Sequence, residues 1–160
     1  MQIRDGVFKG LCQLAENYKN VIMIIADQGG YGVETFRHKF PERFINVGVA
    51  EQNAINVASG LALGGKRPFI YSIASFILQR PFEQIRLATL MQLPIVILAL
   101  GYGDGYWWDG PTHCIPHDRQ ILDALGIAIY TPLSPVEAET DILNLYEKKQ
   151  GVSCVRIKKE

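Results

Sequence analysis

Cysteine is scarce in this chain. Its 160 residues hold three, Cys12, Cys114 and Cys154, odd in number and widely spaced. They give neither a CxxC metal knuckle nor a disulfide framework, and fit three reduced thiols of a cytoplasmic protein. An excess of one charge is also lacking. Sixteen Lys and Arg balance sixteen Asp and Glu, so no basic footprint points to nucleic acid or an anionic membrane. No apolar run reaches the roughly 18 residues that span a bilayer. The opening Met1-Gln-Ile-Arg-Asp5 lacks the charged-then-apolar layout of a signal peptide. There are no repeats, low-complexity tracts or linkers. What is present is an ordinary globular mixture, 48% apolar and 20% charged, long enough for one domain with a sizeable core.

Apolar spacing then alternates between helix and strand. Ile3, Val7, Leu11 and Leu14 recur at helical intervals over residues 3–18. Val21 to Ala26 is a continuous apolar run, the mark of a strand buried on both faces. Asp27-Gln-Gly-Gly-Tyr-Gly32 breaks the chain with three glycines. A short strand is predicted over residues 43–47, and a small-residue helix over 50–63 that Gly64-Gly65 stops. A third strand begins at Phe69, and a helix over 79–92 is ended by Pro94. Ile95 to Leu100 is the most hydrophobic strand. A long loop over 101–117 follows, then a helix near 118–125 and a strand over 127–131. Ser134-Pro135-Val-Glu137 reads as an N-cap, a proline at the first helical position and an acid three residues after the cap. That helix runs to about Lys148, and Val152 to Ile157 is a last strand. The expected fold is α/β: three layers, with a mostly parallel sheet covered by helices on both faces. Sites in such sheets form at the carboxyl ends of strands. Asp27, Glu51, the 72–76 turn and the 101–117 loop all follow strands, so one edge is able to gather them.

Taken singly, each polar residue there has two readings. Glu51 has apolar or small residues before it, so its carboxylate is expected to be partly buried, as catalytic carboxylates often are. It also suits a plain helix N-terminal acid facing the dipole. Phe76 is a ring for a ligand or ordinary core. His113 is a group able to donate, accept or shuttle a proton near neutral pH, or a satisfied loop histidine. Asp27 is a site acid or a turn residue. His38, between Arg37 and Lys39, reads as a solvated surface residue, and His117 as a local cap.

Three segments in order decide between them. They are Phe44-Ile-Asn-Val-Gly-Val-Ala-Glu51-Gln52-Asn53, Ser75-Phe76-Ile-Leu-Gln-Arg80-Pro-Phe82-Glu83-Gln84, and Asp109-Gly-Pro-Thr-His113. Together they resemble the pyrimidine-binding domain of thiamine-diphosphate enzymes of the transketolase and deoxyxylulose-phosphate synthase group, over essentially the whole chain. The resemblance implies a single domain over residues 1–160 and a transferase activity with thiamine diphosphate and Mg2+. It makes Glu51 the hydrogen-bond partner of the cofactor's aminopyrimidine and a catalytic group, because that bond biases the proton that leaves the thiazolium carbon. It sets Phe76 against the pyrimidine, with Ile77 as the alternative because the aromatic-rich stretch allows a shift of one position. Arg80, Phe82 and Gln84 match an Arg-x-Phe-Asp-Gln pattern, with Glu83 in place of the Asp. Arg80 joins the cofactor-contacting candidates, while the stretch as a whole reads as structural or dimer-forming. Asp109 and His113 would contact sugar hydroxyls, His113 catalytically, and Asp27 would approach thiazolium or substrate.

Gly103-Asp104-Gly105 spells the start of the motif that binds magnesium diphosphate in these enzymes. The distant asparagine it needs is missing from the window around Ile127 to Thr131, so the triplet is a decoy. The metal ligands and diphosphate site are therefore expected from a separate diphosphate-binding subunit, in a heterotetramer. The Met1 start and the Lys-Lys-Glu160 end suggest a naturally split enzyme. The substrate end departs from the transketolase pattern. Arg4 matches a phosphate-binding arginine, but Tyr31 stands where a serine is usual. No histidine lies between Leu100 and Asp109, and Lys159 stands near a terminal arginine position. Tyr106-Trp107-Trp108 adds an aromatic wall, which suits a deoxysugar, a nucleotide-linked sugar or a keto acid better than a plain sugar phosphate. An α-keto acid decarboxylase or synthase subunit, or a non-catalytic partner domain, are the competing readings.

Overall fold

The strands are short and rich in Val, Ile, Leu and aromatic residues, and in parallel register both faces of the sheet must be covered. The computed structural model describes residues 2–160, apart from the side chain of Tyr31. In chain order the elements are α1 (Ile3–Asn17), β1 (Val21–Ile25), α2 (Tyr31–Lys39), β2 (Phe44–Asn46), α3 (Glu51–Leu63), β3 (Arg67–Ile73), α4 (Ala74–Gln79), α5 (Phe82–Leu90), β4 (Val96–Leu100), α6 (Asp118–Ala124), β5 (Ala128–Tyr130), α7 (Pro135–Glu147) and β6 (Ser153–Ile157). The strands form one sheet in the order β2-β1-β3-β4-β6-β5, with every pairing parallel.

Strand alternation splits the core in two. Val21, Met23, Ile25, Phe69, Tyr71, Val96, Leu98 and Val155 face α1, α2 and α7. Their neighbours Ile22, Ile24, Ile70, Ile97, Ala99 and Cys154 face α3, α4, α5 and α6. On the first face α1 and α7 lie in near-backbone contact. A Cβ on Gly6 would stand 1.9 Å from the Pro135 carbonyl oxygen, so only glycine fits there. Ser134 caps α7 as its sequence predicts. Its Oγ accepts the Glu137 N–H at 3.1 Å, and Glu137 Oε2 accepts the Leu133 N–H at 2.8 Å.

Three elements differ from the reading of the sequence. A helix over residues 31–39 begins inside the glycine-rich break expected over 27–32, held by the buried pair Val33 and Phe36 one turn apart. The helix expected over 79–92 is α5, which starts at Phe82, and a further short helix, α4, precedes it where a turn was expected over 72–76. α4 leaves β3 directly at Ala74, and Pro81, with no N–H to donate, separates it from α5. β3 also starts earlier, at Arg67. Cys12, Cys114 and Cys154 are free thiols. Among the described residues no helix is long and apolar enough to cross a membrane.

Candidate active site

A parallel sheet sends all its strand ends to one edge, and the sequence's candidates meet there. Glu51 is the first residue of α3, reached from β2 through Gly48 at φ 74° and the exposed Val49. Its side chain is only 3% exposed. Burial of a lone carboxylate is costly, and the structure answers with Arg80. Arg80 Nη1 donates to Glu51 Oε1 at 2.7 Å. The guanidinium carbon also lies 3.8 Å from the centre of the Phe76 ring. The break at Pro81 puts Arg80 at the α4–α5 junction, within reach of the start of α3.

Phe76, rather than Ile77, faces this group. Ile77 is fully buried among the residues under α4, whereas Phe76 is half-buried and carries a second ring at its side. That ring is His113, edge-on with centroids 4.8 Å apart and planes at 65°. His113 ends a 3-10 turn over Pro111–His113, and its Nδ1 lies 3.0 Å from Thr112 Oγ1. Tyr106 lies on the other side, 6.3 Å from the His113 ring. The buried Tyr106 ring packs on Gly101, where a Cβ would come within 2.2 Å of the ring. Glu51, Arg80, Phe76, His113 and Tyr106 thus form one continuous group.

Asp109, Asp27 and Arg4 surround it. Asp109 is exposed at the end of the 3-10 turn Trp107–Asp109, and its charge helps raise the Tyr106 pKa, after burial as the main cause. Asp27 is exposed on the same edge with its carboxylate engaged by Asn46 at 3.1 Å. Arg4 donates to Gln2 Oε1 at 3.1 Å and reaches past Gly30, where a Cβ would lie 3.7 Å from its Nη1. Its charge pulls down the pKa values of both Tyr71 and Tyr106, against burial that raises them. Lys159 Nζ sits 5.6 Å from the centre of the Tyr106 ring, which puts two cations around this tyrosine. Trp107 and Trp108 extend the edge as exposed aromatics, at 71% and 55%. Tyr31 opens α2, but the side chain of interest at the serine position lies outside the described residues.

Reasoning from residue types alone missed the supports. Asn46 was legible only as a strand residue. Asp118 is 1% exposed and takes a two-pronged bond from Arg156, Nε to Oδ2 at 2.6 Å and Nη2 to Oδ1 at 3.1 Å. Arg156 also donates to Thr131 Oγ1 at 3.2 Å and stacks 4.1 Å over Tyr102, so it pins both ends of the loop that carries Asp109 and His113. A lone Arg on the last strand, far in sequence from its carboxylate, gives no local signal. His117 occupies the N-cap of α6 but makes no capping bond through its side chain, which corrects its reading as a cap. Gly103-Asp104-Gly105 is a turn that closes the loop, with Gly103 bridging Ile115.

Thiamine diphosphate is the cofactor the three segments imply, and the residues present fit its pyrimidine. A buried carboxylate lies near a half-buried aromatic ring, and a flat N–H donor, the Arg80 guanidinium, is bonded to the one and lies over the other. Magnesium is different. Among the described residues no group of three or more His, Cys, Asp and Glu is placed to hold a metal ion.

Comparison with known proteins agrees with this geometry. The family described as "Transketolase, pyrimidine binding domain" matches residues 1–160. The 1-deoxy-D-xylulose-5-phosphate synthase of Buchnera aphidicola subsp. Schizaphis graminum is 36% identical over 151 residues, 93% of this chain but 26% of that protein. A putative transketolase C-terminal section of Methanocaldococcus jannaschii is 34% identical over 153 residues, 94% of this chain and 48% of that protein. The chain therefore spans about half or less of the length of these relatives. Among solved structures, a split-gene transketolase described as an inactive β4 tetramer superposes with a TM-score of 0.87 at 27% identity, over all of this chain and 52% of that one. The transketolase of Campylobacter jejuni shares the fold with a TM-score of 0.88 at 22% identity, over all of this chain and 26% of that one. With its whole length matched by that family, the chain belongs to the transketolase pyrimidine-binding domain family.

Proposed function

We propose that this chain is the pyrimidine half of a thiamine-diphosphate-dependent transferase that moves a two-carbon ketol or acyl unit. The observation that carries the reading is Glu51, a carboxylate 3% exposed that shares the Arg80 guanidinium with the Phe76 ring. When bound, thiamine diphosphate supplies a nucleophilic carbon that attacks carbonyl substrates. Glu51 would hold the aminopyrimidine by a hydrogen bond and fix where its proton sits. Phe76 would support the ring by stacking. His113, steadied by Thr112 and by the edge of Phe76, would meet a substrate hydroxyl or carbonyl oxygen and exchange a proton there. Asp109 would orient substrate hydroxyls, and Asp27, set in place by Asn46, would face the thiazolium or substrate side. Arg4 and Lys159 around Tyr106 would take an anionic end of the substrate, a phosphate or a carboxylate.

The diphosphate and Mg2+ would be held by a second, diphosphate-binding domain. A separate subunit assembled as a heterotetramer fits the likeness to a split-gene transketolase and to a transketolase C-terminal section. The cytoplasm suits its three free thiols. The exposed Trp107 and Trp108 favour an acceptor or donor other than a plain sugar phosphate, such as a deoxysugar, a nucleotide-linked sugar or a keto acid.

The test is affinity capture of the tagged protein from its native cells, with mass spectrometry of what accompanies it. A companion carrying Gly-Asp-Gly and a distant asparagine is the expected result. Capture of the chain only with itself would contradict the separate subunit. On the assembled enzyme, a higher kcat/KM for ordinary pentose phosphates than for keto acids or deoxysugars would contradict the substrate reading.

A further inference from the structure

Arg80 stands where the proposed cofactor has to go. It is bonded to the carboxylate that would hold the pyrimidine, 2.7 Å from Glu51 Oε1, and it lies 3.8 Å over the ring that would stack on it. A guanidinium is flat, carries N–H donors along its edge and stacks on aromatic faces. An aminopyrimidine is also flat, bonds a carboxylate through its nitrogen edge and stacks on the same kind of face. The two groups compete for one carboxylate and one ring. We infer that Arg80 is an exchangeable occupant of the pyrimidine position: it keeps Glu51 paired and Phe76 covered in the cofactor-free protein, and swings aside to admit the cofactor. This rests on the thiamine-diphosphate reading above.

The surroundings suit such an exchange. Glu51 has almost no contact with water, so without a partner its charge would be unsupported. Arg80 is 43% exposed, with an open path to solvent for its long stem. It sits at the break between α4 and α5, so its side chain can leave without unwinding either helix. His113 touches Phe76 edge-on and does not depend on Arg80 for its place. If only the molecules with Arg80 turned away admit the cofactor, the apparent affinity is lowered by that fraction. For an ion pair with one partner this exposed, the reduction is roughly two- to fivefold.

The experiment titrates the full-length protein, with any diphosphate-binding subunit that accompanies it, against thiamine diphosphate and Mg2+. The emission of Trp107 and Trp108, on the same loop as His113, reports binding. Wild type, Arg80→Gln and Arg80→Lys are compared, with thermal unfolding to establish that each is folded. The expected result is binding about two- to fivefold tighter for Arg80→Gln. The wild-type association rate should level off as cofactor rises, because Arg80 must first move, whereas the Arg80→Gln rate should keep climbing. Lysine keeps the charge without the flat stack, so Arg80→Lys should fall between the two, and it carries the test should the glutamine variant not fold. Equal or weaker binding by the variants, with linear rates throughout, would overturn the inference while leaving the cofactor reading in place. Absence of binding by wild type and variants alike would overturn both.

Discussion

Asn46, the last residue of β2, grips Asp27, two residues beyond the end of β1, by two hydrogen bonds. Its Oδ1 accepts the Asp27 N–H at 3.2 Å, and its Nδ2 donates to Asp27 Oδ1 at 3.1 Å. The same Oδ1 accepts the Gly48 N–H at 2.9 Å. One amide therefore ties the loop after β1 to the turn that delivers Glu51. Asp27 has φ 58°, a left-handed conformation that costs an ordinary residue roughly 1–2 kcal/mol and that aspartate tolerates better than most. Replacing Asn46 by Ala should lower stability by about 1 kcal/mol, because the bonds are solvent-exposed. Hydrogen exchange of the Gly48 amide should rise with it. An unchanged exchange rate would show that Asn46 does not hold the turn.

Asp118 and Arg156 form a second clamp, this one buried, between α6 and β6. Removing one partner of such a pair leaves the other charge stranded, at a cost of about 3 kcal/mol or more. Asp118→Ala should therefore destabilise strongly. Because Arg156 also stacks on Tyr102, the loop over 101–117 should loosen, with a shift in Trp107 and Trp108 emission. Denaturant unfolding and fluorescence check both parts.

Gly6 of α1 lies against the start of α7. A Cβ there meets the Pro135 carbonyl at 1.9 Å, and that backbone atom cannot step aside as a side-chain end would. Gly6→Ala should cost about 2 kcal/mol or more despite alanine's better helix propensity. The midpoint of urea unfolding measures it. A neutral or stabilising effect would mean that the two helices are free to part.

Tyr71 gives a prediction for alkaline pH. Burial of its hydroxyl pushes its pKa from an ordinary 10.0 up to about 12, against the pull of Arg4. The folded protein thus keeps a proton that the unfolded chain has released. The contribution is whole below pH 10 and is lost as pH rises towards 12, by about 2 kcal/mol. Arg67 acts in the opposite sense, since burial lowers its pKa to about 10 and unfolding lets it hold its charge. Comparing wild type with Tyr71→Phe isolates the tyrosine. The variant should be within about 1 kcal/mol of wild type at pH 7 and should gain on it between pH 10 and 12. Parallel stability curves over that range would contradict the shift.

The strand–helix alternation was readable because buried parallel strands are continuous apolar runs, as in Val21–Ile25 and Val96–Leu100. The cap at Ser134 was readable because its partners are three residues away or fewer. α2 was hidden by glycines at its start and by a small core contribution, Val33 and Phe36 being the buried side chains among its described ones. Glu51, Phe76 and His113 were found through their motifs, and the fold brings them to one edge. What joins them was not legible. Arg80 meets Glu51 across 29 positions and Arg156 meets Asp118 across 38, and no local pattern marks a pairing over such separations. The kink at Pro81, which aims Arg80, was visible as a proline but not as the cause of a contact.

Everything in the functional reading turns on Glu51, and its most direct test is ketol transfer by the natural enzyme assembly carrying Glu51→Gln. Two-carbon transfer from a ketose or keto-acid donor would be followed with saturating thiamine diphosphate and Mg2+, for wild type and variant side by side. Glutamine preserves the size of the side chain but cannot exchange the proton. The expected result is a thiamine-diphosphate-dependent wild-type activity and a fall of about 100-fold or more in the variant, with the fold retained. Full activity in the Glu51→Gln enzyme would contradict the assignment and favour a domain that only assembles with or regulates its partner.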